Sequence, residues 1–118
     1  MKQFTILFAE DDTHVRAAVI ELLKQHGFSV LVATTGDEAI RLLAEHPVDL
    51  LFTDVVMPGL NGFELARQGK LLRPELRVLY LTGHAEKTEG RGVRHGKLLM
   101  KPLRAAEILA EICQALST

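Results

Sequence analysis

The side chains best suited to chemistry stand at the ends of apolar runs. Glu10-Asp11-Asp12 closes Thr5-Ile6-Leu7-Phe8-Ala9, Asp54 closes the run over 48–53, Thr82 follows Val78-Leu79-Tyr80-Leu81, and Lys101 follows Leu98-Leu99-Met100. Carboxylates brought close together repel, and a cation relieves that repulsion. Hard oxygen ligands select Mg2+ or Ca2+, and a small open site that keeps several waters favours Mg2+, the usual companion of phosphate. A carboxylate, a divalent ion, a hydroxyl and a lysine together suit phosphoryl transfer. The ion and the lysine neutralise the equatorial oxygens while the carboxylate attacks in line as a covalent nucleophile.

Such a site needs elements that bring the run ends together. The first run is continuously apolar, which predicts a strand buried on both faces, as in parallel sheets. Val15, Val19, Leu22 and Leu23 then recur at steps of three and four, with Asp12 or Thr13 as N-cap and Gly27 as the stop of a first helix. Residues 28–33 predict a second strand. Thr35 and Glu38 fit a capping box for a second helix, which Pro47 ends. Residues 48–53 predict the third strand, 63–72 a helix weakened by Gly69, 78–81 the fourth strand and 98–100 a short fifth. Pro102 suits the first turn of a last helix with Ala105, Ile108, Leu109, Ile112 and Leu116 on one side. Cys113 reads as a small core residue of that helix. Alternating strands and helices imply a parallel sheet covered on both faces. Between strands four and five the segment 86–97 carries Gly90, Gly92 and Gly96 and lacks an amphipathic face. It predicts a degenerate fourth helix, mobile or irregular, with each interior Gly costing about 1 kcal/mol relative to Ala.

Composition narrows the classes. A chain of 118 residues, 47% hydrophobic and 25% charged, is the size and make-up of one globular domain over 1–118. Fourteen basic and fifteen acidic residues give a formal charge of -1, so no global field holds nucleic acid or an anionic membrane. One cysteine excludes an intrachain disulfide and a cysteine-rich metal framework. The N-terminal apolar run is too short for a signal peptide or membrane span, so a soluble, cytoplasmic chain is expected.

In open α/β sheets, ligands bind beyond the carboxyl ends of the strands, where strand order reverses. With order 2-1-3-4-5, strands one and three are neighbours, and the acids converge beside Thr82 and Lys101. FAEDD, TDVVMPGLNG, LTGHA and LLMKPL, in this order and spacing over residues 4–117, resemble the four signature segments of response-regulator receiver domains, the CheY-like superfamily of His-Asp phosphorelay signalling. The resemblance implies a doubly wound, flavodoxin-like sheet of five parallel strands in that order. It implies Asp54 as the phospho-accepting aspartate of a phosphoprotein and Asp11 as a direct Mg2+ ligand. Glu10 would act through a metal-bound water, and Val56 would contribute its backbone carbonyl. It implies Thr82 as the hydroxyl for a phosphoryl oxygen, Gly83 as the small residue leaving room, and Lys101 as the pairing lysine, with Pro102 often in a cis bond. The implied partner is a histidine kinase or histidine phosphotransfer protein, with an unassigned output partner and a monomer or weak dimer. Such a domain is no general enzyme. It catalyses only its own phosphorylation and dephosphorylation.

Two departures bear on output. The family's usual aromatic three residues before the lysine is here Leu98, and the Thr82–Lys101 interval is short and glycine-rich. A phosphatase of the haloacid dehalogenase type would want a second acid two residues after the nucleophile, where Val56 stands. A binding module that never turns over phosphate is the remaining alternative, and a flavin role lacks a phosphate loop after strand one. Asp12 reads mainly as a helix cap. Gly59 and Gly62 serve the turn after Asp54. His84 reads as solvated surface, and Lys87, Arg91, Arg94 and Lys97 as a solvated loop. Tyr80 shares strand parity with Thr82, so it either packs in the core or stands in for the missing aromatic.

Overall fold

The computed structural model describes residues 3–83 and 94–117. Five strands form one parallel sheet: β1 (Thr5–Ala9), β2 (Ser29–Ala33), β3 (Leu50–Asp54), β4 (Arg77–Thr82) and β5 (Gly96–Met100), in the order β2-β1-β3-β4-β5. The helices are α1 (Thr13–Gln25), α2 (Gly36–Glu45), α3 (Gly62–Leu72) and α4 (Ala105–Leu116). None of them is long and apolar enough to cross a membrane.

Continuous apolarity does mark the strands buried on both faces. β1, β3 and β4 are almost wholly buried, whereas the edge strands β2 and β5 are half open. Side chains alternate across the sheet. Leu7, Leu51, Val78 and Tyr80 pack towards α2 and α3 with Ala39, Leu43 and Leu65. Ile6, Phe8, Phe52, Leu79 and Leu81 pack towards α1 and α4 with Val19, Leu23, Ile108 and Ile112. The Phe8 and Phe52 rings lie tilted at a centroid distance of 5.1 Å, a favourable aromatic geometry. Each fully buried Leu or Phe adds about 1.5–3 kcal/mol of transfer free energy.

Local signals set the helix ends. The Asp12 carboxylate accepts from His14 N (2.9 Å) and Val15 N (3.0 Å), which resolves the first cap in favour of Asp12. Thr35 Oγ1 accepts from Glu38 N at 3.1 Å, but the Glu38 carboxylate turns back to Thr34 N (2.7 Å), so the reciprocal half of the box closes one residue early. Gly69 does not break α3. A Cβ there would lie 3.0 Å from Leu76 Cδ2 and 3.1 Å from Leu43 Cδ1, so glycine lets α3 approach α2 closely.

Several expectations need correction. Pro102 is not in the first turn of the last helix. It follows a cis Lys101–Pro102 bond, and α4 starts only at Ala105 after Arg104 as cap. Cys113 is exposed, because the buried stripe of α4 runs through Ile108, Ile112 and Leu116 and Cys113 lies one residue off it. Ala105 is exposed although it shares the face of Ile108, because it is the first residue of α4. Of the segment expected to be irregular, residues 86–93 lie outside the described residues, as does His84, and the expectation of a degenerate fourth helix falls there too. Gly96 and Lys97 belong to β5, since register with Val78 and Leu79 extends the strand backwards from Leu98. Lys97 is tied to Glu111 at 2.6 Å.

Candidate functional site

Register alone gathers the polar strand ends. Ala9 pairs with Thr53, so Glu10 and Asp54 both emerge from the carboxyl edge on adjacent strands. Asp54 pairs with Leu81, which sets Thr82 one step beyond on the next strand. Thr82 pairs with Met100, and Lys101 N donates to the Thr82 carbonyl at 2.7 Å. Four sequence-distant segments thereby share one corner of the sheet.

Lys101 spans that corner. Its Nζ donates to Glu10 Oε1 at 2.9 Å and to Asp54 Oδ2 at 3.1 Å. Glu10 and Thr82 have no exposed area and Asp54 only 5%. Asp11 is exposed and closes the cluster: one carboxylate oxygen from each of Glu10, Asp11 and Asp54 lies within 4.8 Å of the others. Val56 takes part through its backbone, its N–H facing Asp54 Oδ1 at 3.4 Å while its side chain points to solvent. A Cβ on Gly83 would meet the Lys101 side chain at 3.7 Å, an ordinary contact, so steric exclusion does not demand glycine there. Gly62 is a different matter. Its N–H donates to Val55 O at 2.8 Å, and a Cβ there would overlap the Asp54 carbonyl oxygen.

Electrostatics follow from burial. Loss of water pushes the Glu10 carboxyl up from 4.5 to about 7, and the hydrogen bond and charge of Asp54 push the same way, against the pull of Lys101. Burial works against the Lys101 ammonium too. Glu10 and Asp54 outweigh it and hold Lys101 above the ordinary lysine value. The corner therefore carries more negative charge than one lysine satisfies.

Three hard carboxylates, one of them open to solvent, fit a small divalent cation that completes its shell with water. No cluster of histidine and cysteine ligands occurs among the described residues. Sequence reasoning missed Arg16. Its Nη1 donates to Glu10 O (3.0 Å) and Asp11 O (3.1 Å) and holds the acidic turn in shape. An arginine one turn into α1 gives no local sign of that role.

The comparisons agree with this geometry. The sequence profile of the response regulator receiver domain matches residues 6–113. The response regulator receiver protein CpdR of Brucella abortus is 36% identical over 110 residues, covering 91% of this chain and 92% of that protein. The response regulator MprA of Mycobacterium leprae is also 36% identical over 110 residues, but the chain spans only 48% of its length. The crystal structure of a response regulator receiver protein from Sinorhizobium medicae WSM419 superposes with a TM-score of 0.90 at 27% identity, covering 99% of this chain and 97% of that one. With profile, relatives, strand order and acidic corner all pointing one way, the chain belongs to the response regulator receiver domain family of two-component signalling.

Proposed function

We propose that Asp54 is the phosphoryl acceptor, that the donor is a phosphohistidine on a kinase or phosphotransfer protein, and that Mg2+ assists. One observation carries this reading: a nearly buried carboxylate, Asp54, faces a lysine ammonium at 3.1 Å inside a three-acid cluster that suits a hard cation. An Asp54 carboxylate oxygen attacks the phosphorus in line, the P–N bond breaks, and the imidazole leaves with a proton. An acyl phosphate remains on Asp54. Lys101 moves from pairing Asp54 to pairing the new phosphoryl oxygens, and the Thr82 hydroxyl donates to another. Glu10, Asp11, Asp54 and the Val56 carbonyl would hold Mg2+, which neutralises charge on the transferring group. Hydrolysis reverses the state: water attacks phosphorus, the P–O bond to Asp54 breaks, and inorganic phosphate departs.

The chain thus acts on itself rather than on a pool of substrate, and residues 1–118 form one receiver domain. The reading also carries a cytoplasmic location, where the ATP that charges histidine donors is kept. Asp54→Asn is expected to abolish the one-phosphoryl mass gain on incubation with acetyl phosphate and Mg2+. Continued labelling of that variant would overturn the assignment of the acceptor.

A further inference from the structure

The core holds one polar aromatic whose contacts packing alone does not require. Tyr80 is 1% exposed and sits on β4 two residues before Thr82. Its ring lies against Phe63 at a centroid distance of 4.9 Å and an interplanar angle of 59°. Its hydroxyl donates to the Arg94 carbonyl at 2.7 Å. Burial raises its pKa to about 12, so the hydroxyl remains a donor across the neutral range.

Both contacts lead somewhere. Phe63 is the second residue of α3, and the preceding Gly62 is hydrogen-bonded to Val55, the residue after Asp54. Arg94 precedes His95, which is held at φ 74° immediately before β5. A non-glycine residue keeps a left-handed backbone only where its surroundings hold it there. In the sheet, Tyr80 is the register partner of Leu98. Tyr80 and Leu98 therefore pack on the same side of the sheet.

We infer that Tyr80 is a positioning residue that couples the Asp54 corner to the start of β5, through Phe63 on one side and the Arg94 carbonyl on the other. The inference rests on Asp54 being the acceptor. Its physical basis is an unbroken run of packed and hydrogen-bonded groups: Asp54, Val55, Gly62, Phe63, Tyr80, Arg94 and His95. A change of charge at Asp54 shifts the turn after it, and Tyr80 passes that shift to the backbone before β5.

The chain has one tyrosine and no tryptophan, so its intrinsic emission reports Tyr80 alone. Beryllium fluoride with Mg2+ serves as the phosphoryl mimic. In the native chain, tyrosine emission and the amide signals of His95 and Gly96 are expected to shift on its addition. In Tyr80→Phe the ring contact stays and the hydroxyl goes. That variant is expected to take a phosphoryl group from acetyl phosphate as before and to move its Val55 amide signal, while the His95 and Gly96 shifts are lost. A purely structural role would lower stability and leave those shifts intact, which overturns the inference. Native protein that is labelled but shows unchanged tyrosine emission overturns it as well. Native protein that takes no label from acetyl phosphate removes the acceptor assignment itself, and the coupling with it.

Discussion

Glu10 allows a prediction with a sign and a size. Its carboxyl has no exposed area, and its pKa stands at about 7 rather than 4.5, mainly because burial disfavours the charge. A protonated carboxyl neither ligates a hard cation well nor accepts from a water bound to it, so Mg2+ binding favours the ionised form of Glu10. Between pH 8 and pH 6 the ionised fraction falls from about nine-tenths to about one-tenth, which weakens apparent Mg2+ affinity by up to about tenfold. Calorimetric titration in two buffers of different ionisation enthalpy should count about one proton released per ion at pH 6 and close to none at pH 8. Glu10→Gln should bind more weakly and lose that pH dependence. Stability without metal carries the opposite face of the same linkage. The folded value lies above the unfolded one, so this group's contribution is fully present below pH 4.5 and is lost as pH climbs through about 7. At pH 8 metal-free Glu10→Gln should therefore be more stable than the native chain, by on the order of 2–3 kcal/mol in denaturant unfolding. An Mg2+ affinity that is flat from pH 6 to pH 8, or a Glu10→Gln variant with the native slope, would refute the reasoning.

Two further substitutions probe the frame around the site. Gly62→Ala drives a Cβ into the Asp54 carbonyl oxygen, so it should cost about 1–3 kcal/mol or more of stability and slow labelling by acetyl phosphate, read by chemical denaturation and by mass. Asp12→Ala removes the acceptor for His14 N and Val15 N, and should cost about 1 kcal/mol while leaving labelling intact, because the carboxylate caps α1 and lies outside the acid cluster. Strong loss of Mg2+ binding in Asp12→Ala would show that the cap reading is incomplete.

Much of the molecule was legible because its signals are local. Continuous apolar runs ending in acids, a threonine or a lysine marked the strands and their functional ends. Asp12 and Thr35 marked helix starts, and the four segments at the run ends matched one family over nearly the whole chain. Misreadings arose where a residue's role depends on contacts far away. Gly69 looked like a break in α3 because its reason, the approach of Leu43 from α2, lies 26 positions earlier in the chain. Cys113 looked like core because it sits among apolar neighbours, but a one-residue step turns it by about 100° around the helix, off the buried stripe. Pro102 has the cis bond that the family resemblance implied, but it looked like a helix start because proline suits a first helical turn, whereas α4 begins only at Ala105.

The sequence by itself determined the donor set and the order of elements: which carboxylates, hydroxyl and ammonium end the strands, and that β-strands alternate with helices. Tertiary structure decided the rest. It seated Lys101 between Glu10 and Asp54, which lie 91 and 47 positions away, and clamped the acidic turn with Arg16. It also raised the Glu10 pKa and tied the Tyr80 hydroxyl to Arg94. The physical reason is that donor identity belongs to a single residue, whereas distance, dielectric and hydrogen-bond partnership are properties of the packing, and they exist only once the crossovers have set non-neighbouring strands side by side.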